Sequence, residues 1–391
     1  MHPLLILVLA IVVVVGLIMV LRANAFIALI LSAILVSLLA PGPWEGKMQR
    51  VADAFGAAAG KIGIVIALAA VIGKCLMDSG AADRIVRSFL KLLGERRAPE
   101  ALAGASFVLG MPVFFDTVFY LMVPLARSLY RQTRKNYLLY ILAIGTGGAV
   151  THTMVPPTPG PLAVAANLNI DLGVMILGGT LLAAPTALVG LLTARMFNRL
   201  MPIPMRPYTG EPDASPLPDQ ALPPLWISIL PIVLPVILIS GATVAKALAG
   251  DGQGTLLGVA EAKWLVDVML LLGNANLALL LSAVIAMGLL VRQRNLSLAE
   301  LAKGTEEALL SGGLIILITA AGGALGAMLA EAKVGDGVQG LLGFESGQGR
   351  ILIVVGFGIA ALLKIAQGSS TVAMLTTSAM IAAMAGSPER L

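Results

Sequence analysis

An apolar run as long as HPLLILVLAIVVVVGLIMVL at 2–21 leaves a chain few options. About 20 such residues in a helix match the ~30 Å hydrocarbon core of a bilayer. Further runs follow at 25–42, 60–77, 101–126, 137–167, 172–195, 225–249, 275–291, 312–331 and 351–386, separated by short stretches of Gly, Pro and charge. A span inside lipid must satisfy its own backbone, so these runs are expected to be helices or helix-lined hairpins, which makes the chain an all-α polytopic membrane protein in contact with the lipid bilayer. With 58% hydrophobic and only 12% charged residues, the 391-residue chain is not a water-soluble domain. The single cysteine, Cys75, excludes a disulfide framework and a thiol metal site, and neither metal nor cofactor is expected. Its net charge of +5 gathers at the ends of apolar segments, where topology accounts for it and nucleic acid is not implied. The first run has the length of a secretory signal and is followed by RANA, a cleavage-like site. No basic residue precedes it and Arg22 follows it, so a retained first helix is expected.

The long polar connector MPIPMRPYTGEPDASPLPDQALPPL at 200–224 cannot form a packed core and is expected to be a cytoplasmic linker between two repeats, 1–199 and 225–391. Polar positions match in order across it. Ser32 and Ala33 fall on Ser282 and Ala283; at a slightly larger offset Gly73 falls on Gly326, Asp78 on Glu331 and Asp83 on Asp336. Duplication explains this order better than chance similarity between apolar helices.

Basic residues orient the repeats. If Arg22, the cluster Arg84, Arg87, Lys91, Arg96, Arg97 and the cluster Arg127, Arg131, Arg134, Lys135 all face the cytoplasm, segment 101–126 has both ends on one side. A single span cannot do this, whereas a re-entrant hairpin can: two arms of about 12 residues reach roughly 18 Å, and Pro112 supplies the break. Tracing onward to Arg195, Arg199, Arg206, Arg292 and Arg294 makes the repeats inverted, with a second hairpin at 351–386 whose tip is QGSST. The amphipathic run 82–97 is expected to be an interfacial helix and Lys74 to snorkel from its helix end.

The stretches GMPVFFDTVFYLMVPLARS, AVTHTMVPPTPGPLAVA and LLKIAQGSSTVAM resemble the signatures of the gluconate permease family of proton symporters, within the ion transporter superfamily. The resemblance covers nearly the whole chain and implies two inverted repeats, each with a re-entrant hairpin and a broken helix (here 137–167), in a homodimeric elevator-type transporter of a bacterial inner membrane. It also implies proton-coupled import of gluconate or a related hydroxy acid. Thr158 stands where gluconate-type members commonly carry a second histidine, which leaves glycerate or D-serine open as substrates. The partner of THTMVPPTPGP would begin beyond Leu391, so the second repeat is expected to lack its last broken helix.

Hairpin tips and broken helices leave backbone donors and acceptors unpaired at membrane depth. Asp116 and Thr117 are suited to cap the second arm of the first hairpin, and Ser369, Ser370 and Thr371, after Gly368, that of the second. Prolines 156, 157, 159 and 161 break the helix after Thr151, His152 and Thr153, and a new helix start near Thr158 and Gly160 can hold a carboxylate. Serines and threonines in membrane helices commonly serve packing, and Asp116 has a bland alternative as a cap. His152 is the only histidine besides His2. It and Asp116 are the candidates for proton coupling, with sodium as the alternative ion. Lys364 is placed to neutralise a substrate carboxylate or to pair with Asp116, at a position where family members often carry arginine. Substrate is expected between the two hairpin tips and the broken helix, where Thr117, Thr151 and Ser370 would approach one another. An intramembrane enzyme finds no H-E-x-x-H or phosphate loop to support it, and a channel does not need paired inverted hairpins.

Overall fold

The structure, a computed structural model, describes residues 2–201, 203–206, 218–249, 263–334, 337, 349–367 and 369–385. Regular structure among them is helical throughout. In chain order the helices are α1 (Pro3–Met19), α2 (Ala25–Leu39), α3 (Lys47–Asp78), α4 (Ala81–Leu93), α5 (Ala98–Leu109), α6 (Phe115–Thr133), α7 (Tyr137–Met154) and α8 (Pro159–Leu168). They continue with α9 (Leu172–Leu200), α10 (Leu225–Ala249), α11 (Lys263–Leu272), α12 (Ala275–Arg294), α13 (Leu298–Glu331), α14 (Gly349–Gln367) and α15 (Ser370–Ala385). Six helical stretches among the described residues are long and apolar enough to cross a membrane. On α9 the side chains of Leu181, Leu182, Leu188 and Val189 are exposed, Leu181 to 76%. In water each would forgo about 2 kcal/mol of burial, so this is a surface made for lipid.

The runs 60–77 and 312–331 underestimate their helices, because α3 begins at Lys47 and α13 at Leu298. Apolar content marks the lipid-embedded part, while the helix continues through polar turns such as KMQRVADAF. The run 137–167 divides into α7 and α8, broken at 155–158 where the prolines cluster.

The chain forms two compact units, each drawing on segments before and after the 200–224 connector. The first comprises 1–66, 159–171 and 311–391. Its core joins Ile6, Ala10 and Val14 of α1, Leu29 and Ala33 of α2, Leu325 and Leu329 of α13, and Met380 of α15. Ser32 is buried and donates to Ala10 O at 3.3 Å, fastening α2 to α1. Antiparallel packing of α14 on α15 brings Gly356 against Ile381.

The second unit comprises 67–158 and 172–310. Here α5, α6 and α9 surround α7. Gly147 admits the backbone of α5 at Ala103, and Gly179 of α9 admits the carbonyl of Met154; at each, a Cβ would stand 2.1 Å from a backbone oxygen. Small residues thus let these backbones meet, the usual device where lipid supplies no hydrophobic drive between helices.

Both ends of the α5–α6 pair lie at the C-terminal end of α9. Glu100, in the first turn of α5, pairs with Arg195. Beyond α6, Asn136 Oδ1 accepts from Asn198 Nδ2 at 3.1 Å, and Arg127 is buried with Nη2 on Arg206 O at 3.2 Å. At about 1.5 Å per residue, α5 extends only ~18 Å. The second arm is longer than expected, since α6 continues through Pro124 to Thr133.

Of the connector, residues 202 and 207–217 lie outside the described residues. Its end includes a short turn at Asp219–Ala221; Arg84 of α4 donates to the carbonyls of Asp219 and Pro223, and Arg87 to the Asp219 carboxylate. Arg294, at the end of α12, donates to Asp78 O at 2.7 Å. Helix α4 buries Ile85 and Val86 and contacts α5 and α10. Lys74 pairs with Asp78, the last residue of α3, at 3.0 Å and with Glu307 at 3.3 Å.

Candidate functional site

In the second unit, the break after α7 is built by missing donors. Proline has no N–H, so Pro156 and Pro157 cannot serve the carbonyls of His152 and Thr153, and Pro159 cannot serve that of Val155. Thr158 is buried and repairs the last of these, donating from Oγ1 to Val155 O at 2.6 Å. The Val155 N–H closes α7 on Thr151 O at 2.9 Å, and the Pro156–Pro157 peptide is cis.

Thr151 is fully buried with Oγ1 on Gly147 O at 3.0 Å, and Thr153 Oγ1 donates to Ala149 O at 2.8 Å. The three threonine hydroxyl protons are therefore committed to nearby backbone, which leaves the oxygens as acceptors for a ligand.

His152 differs, because its Nδ1 is shielded and has no hydrogen-bond partner among the described residues. Leaving such an atom unpaired costs about 1–3 kcal/mol. Asp116, exposed in the first turn of α6, interacts electrostatically with it. Asp116 is not the cap it was expected to be. Phe114 holds the extended N-cap conformation without a side-chain cap, which puts Asp116 second and Thr117 third in the helix. There the carboxylate complements the positive end of the helix dipole, and Thr117 is half-buried.

In the first unit, α8 and α15 run parallel and side by side. Gly160 faces Met374 and Thr371, a Cβ on it standing 3.7 Å from the Thr371 Cα, and seven residues further along each helix Asn167 Nδ2 donates to Ser378 Oγ at 2.9 Å. This register brings the two N-termini together. Ser369 caps α15 as expected, its Oγ accepting from Val372 N at 3.3 Å, with Ser370 and Thr371 in the first turn. The N–H groups of Gly160 and Leu162 open α8, while Pro159 and Pro161 contribute none. Lys364 is exposed on α14, and Gly368 lies outside the described residues. Two neighbouring helix N-termini, each worth roughly half a positive charge, suit an anion.

The candidates thus form two sets: Asp116, Thr117, Thr151, His152, Thr153 and Thr158 in the second unit, and Gly160, Lys364, Ser369, Ser370 and Thr371 in the first. Sequence reasoning passed over Asn167 and the glycines that seat α7. The signal for the glycines was present in the GTGG run at 145–148. Asn167 also lines a cavity of about 290 Å³ in the first unit, with Lys61 and Thr319. None of the candidate residues lines it.

Comparison with known proteins gives one family match and three relatives. The sequence profile of GntP family permeases matches residues 2–389. An uncharacterized permease of Haemophilus influenzae is 31% identical over 97% of this chain and 77% of its own length, and a gluconate permease of Bacillus subtilis is 30% identical over 98% and 85%. An inner membrane permease of Escherichia coli is 31% identical over 92% and 78%.

Proposed function

The chain belongs to the GntP permease family, and from that premise we propose that it imports gluconate or a closely related hydroxy acid in symport with protons. It is a multi-pass transporter of the bacterial inner membrane and not an enzyme. The observation that carries the proposal is the parallel pair α8 and α15, whose adjacent N-termini at Gly160 and Thr371 suit a carboxylate. Acceptor oxygens at Ser369, Ser370 and Thr371 suit the hydroxyls of such a substrate. The Bacillus subtilis relative, a gluconate permease, supports the same substrate class.

The architecture in this reading is a pair of inverted repeats, each with a re-entrant hairpin. Support comes from matched caps and matched buried serines: Asn24 and Asn274 both accept from the second residue of their helices, α2 and α12, and Ser32 and Ser282 are buried at the same place in each. The gathered ends of α5–α6 favour entry and exit on one side of the membrane.

Coupling falls to His152, whose Nδ1 has no partner among the described residues, and to Asp116, which interacts with it electrostatically. An anion imported alone against an inside-negative potential meets about 2.3 kcal/mol per 100 mV; one proton cancels that charge. Uptake of labelled gluconate into proteoliposomes tests this. An imposed pH gradient should drive accumulation, and His152→Gln or Asp116→Asn should abolish it while sparing exchange. Uptake that follows a sodium gradient at constant pH, or keeps its pH dependence in both variants, overturns the assignment.

A further inference from the structure

The ends of the α5–α6 pair enclose a feature that the transport reading does not use. In the second unit a cavity of about 400 Å³ opens between the turn before α5, the segment after α6, the start of α7 and the end of α9. That volume is within the roughly 300–1,000 Å³ of small-ligand pockets. Its lining carries three cations, Arg96, Lys135 and Arg195, against one carboxylate, Glu100. Arg195 already donates to Glu100, so the charges of Arg96 and Lys135 have no carboxylate of their own in the lining.

The pocket is shaped before any ligand arrives. Thr133 Oγ1 donates to Leu129 O at 2.9 Å and receives the Lys135 N–H at 3.5 Å, which fixes the turn after α6. Asn136 follows in the left-handed region at φ 62°, and its Oδ1 is taken by Asn198. That orientation leaves the Asn136 amide N–H groups as donors.

We infer that this pocket binds one phosphate group, carried either by an anionic phospholipid headgroup or by a soluble phosphate compound. Two cations with no carboxylate of their own among the described lining residues match its charge, and Arg, Lys and amide donors match its several oxygens. Basic pockets between the cytoplasmic ends of membrane helices are suited to this chemistry. The ligand would bridge Arg96, ahead of α5, to Lys135, after α6, and so hold both ends of the helical pair.

The test uses the purified full chain in detergent, with thermal unfolding followed on adding inorganic phosphate, phosphatidylglycerol or phosphatidylcholine. Phosphate or phosphatidylglycerol should raise the unfolding temperature and phosphatidylcholine should not. A response to phosphate alone marks a soluble source, and one to phosphatidylglycerol alone a lipid source. Arg96→Gln with Lys135→Gln should weaken apparent affinity by about tenfold or more, the loss expected for a charged hydrogen bond. Both side chains are exposed, so the unliganded unfolding temperature should not move, and Lys135→Arg should retain binding. The inference is overturned if neither ligand shifts the wild type, or if the double variant responds as the wild type does. It also fails if gluconate gives the same Arg96- and Lys135-dependent shift, which would assign the pocket to substrate.

Discussion

Gly147→Ala tests how α5 is seated on α7. A Cβ there would stand 2.1 Å from Ala103 O, 2.9 Å from Ala103 C and 3.0 Å from Phe107 N. All three are backbone atoms of α5, so no side chain can turn aside and the whole helix must retreat. Overpacking of this kind costs about 1–3 kcal/mol. Replacing glycine by alanine in a helix returns about 0.9 kcal/mol, which leaves a net loss of about 1 kcal/mol at the centre of the range. Gly145 provides the control, because nothing lies within 4 Å of its Cβ and Gly145→Ala keeps only the favourable contribution. Reversible unfolding of both variants in mixed micelles should rank Gly145→Ala at or above the wild type and Gly147→Ala below it. Equal stability of the two variants would refute the close approach of these helices.

Three further outcomes can be checked directly. Asn167→Ala and Ser378→Ala should show a coupling of about 0.5–1.5 kcal/mol in a double-mutant cycle, the range for hydrogen bonds between membrane helices; additive effects would mean the bond is not formed. Cysteines at the exposed positions Arg97 and Gln132 should label from the same side of the membrane, with little background from buried Cys75; labelling from opposite sides would remove the basis for a hairpin. The hydrogen bond from Arg87 holds the Asp219 carboxyl below its ordinary value. Its tether is therefore complete above the usual aspartate range near 3.9 and is lost as the pH falls below it. Protease cleavage near Asp219 should rise at acid pH in the wild type and be high at all pH values in Arg87→Gln.

Breaks were legible where they depend on missing donors. Four prolines within 156–161 can only interrupt a helix, and the chain is interrupted there. Ser369 was legible as a cap because a serine sits where the helix starts. Asp116 was misread for the same reason in reverse: a polar residue stood near the tip, yet the extended backbone falls on Phe114, two residues earlier, close behind Pro112. Capping preferences rank side chains but do not locate the turn. The starts of α3 and α13 were missed because hydropathy follows lipid contact, not helical geometry. The approach of the second hairpin tip to the broken helix was anticipated, but the register of α8 on α15 was not, since Asn167 and Ser378 lie far apart in the chain and neither belongs to a recognisable motif.

The register of α8 and α15 restricts how the two helices can move. A slide of one along the other would drive the Met374 side chain out of the space left by Gly160 and part Asn167 from Ser378. The two helices must therefore travel as one piece. A pair of spin labels on their outer faces would form an internal ruler, with a separation that stays constant through a transport cycle while other distances change.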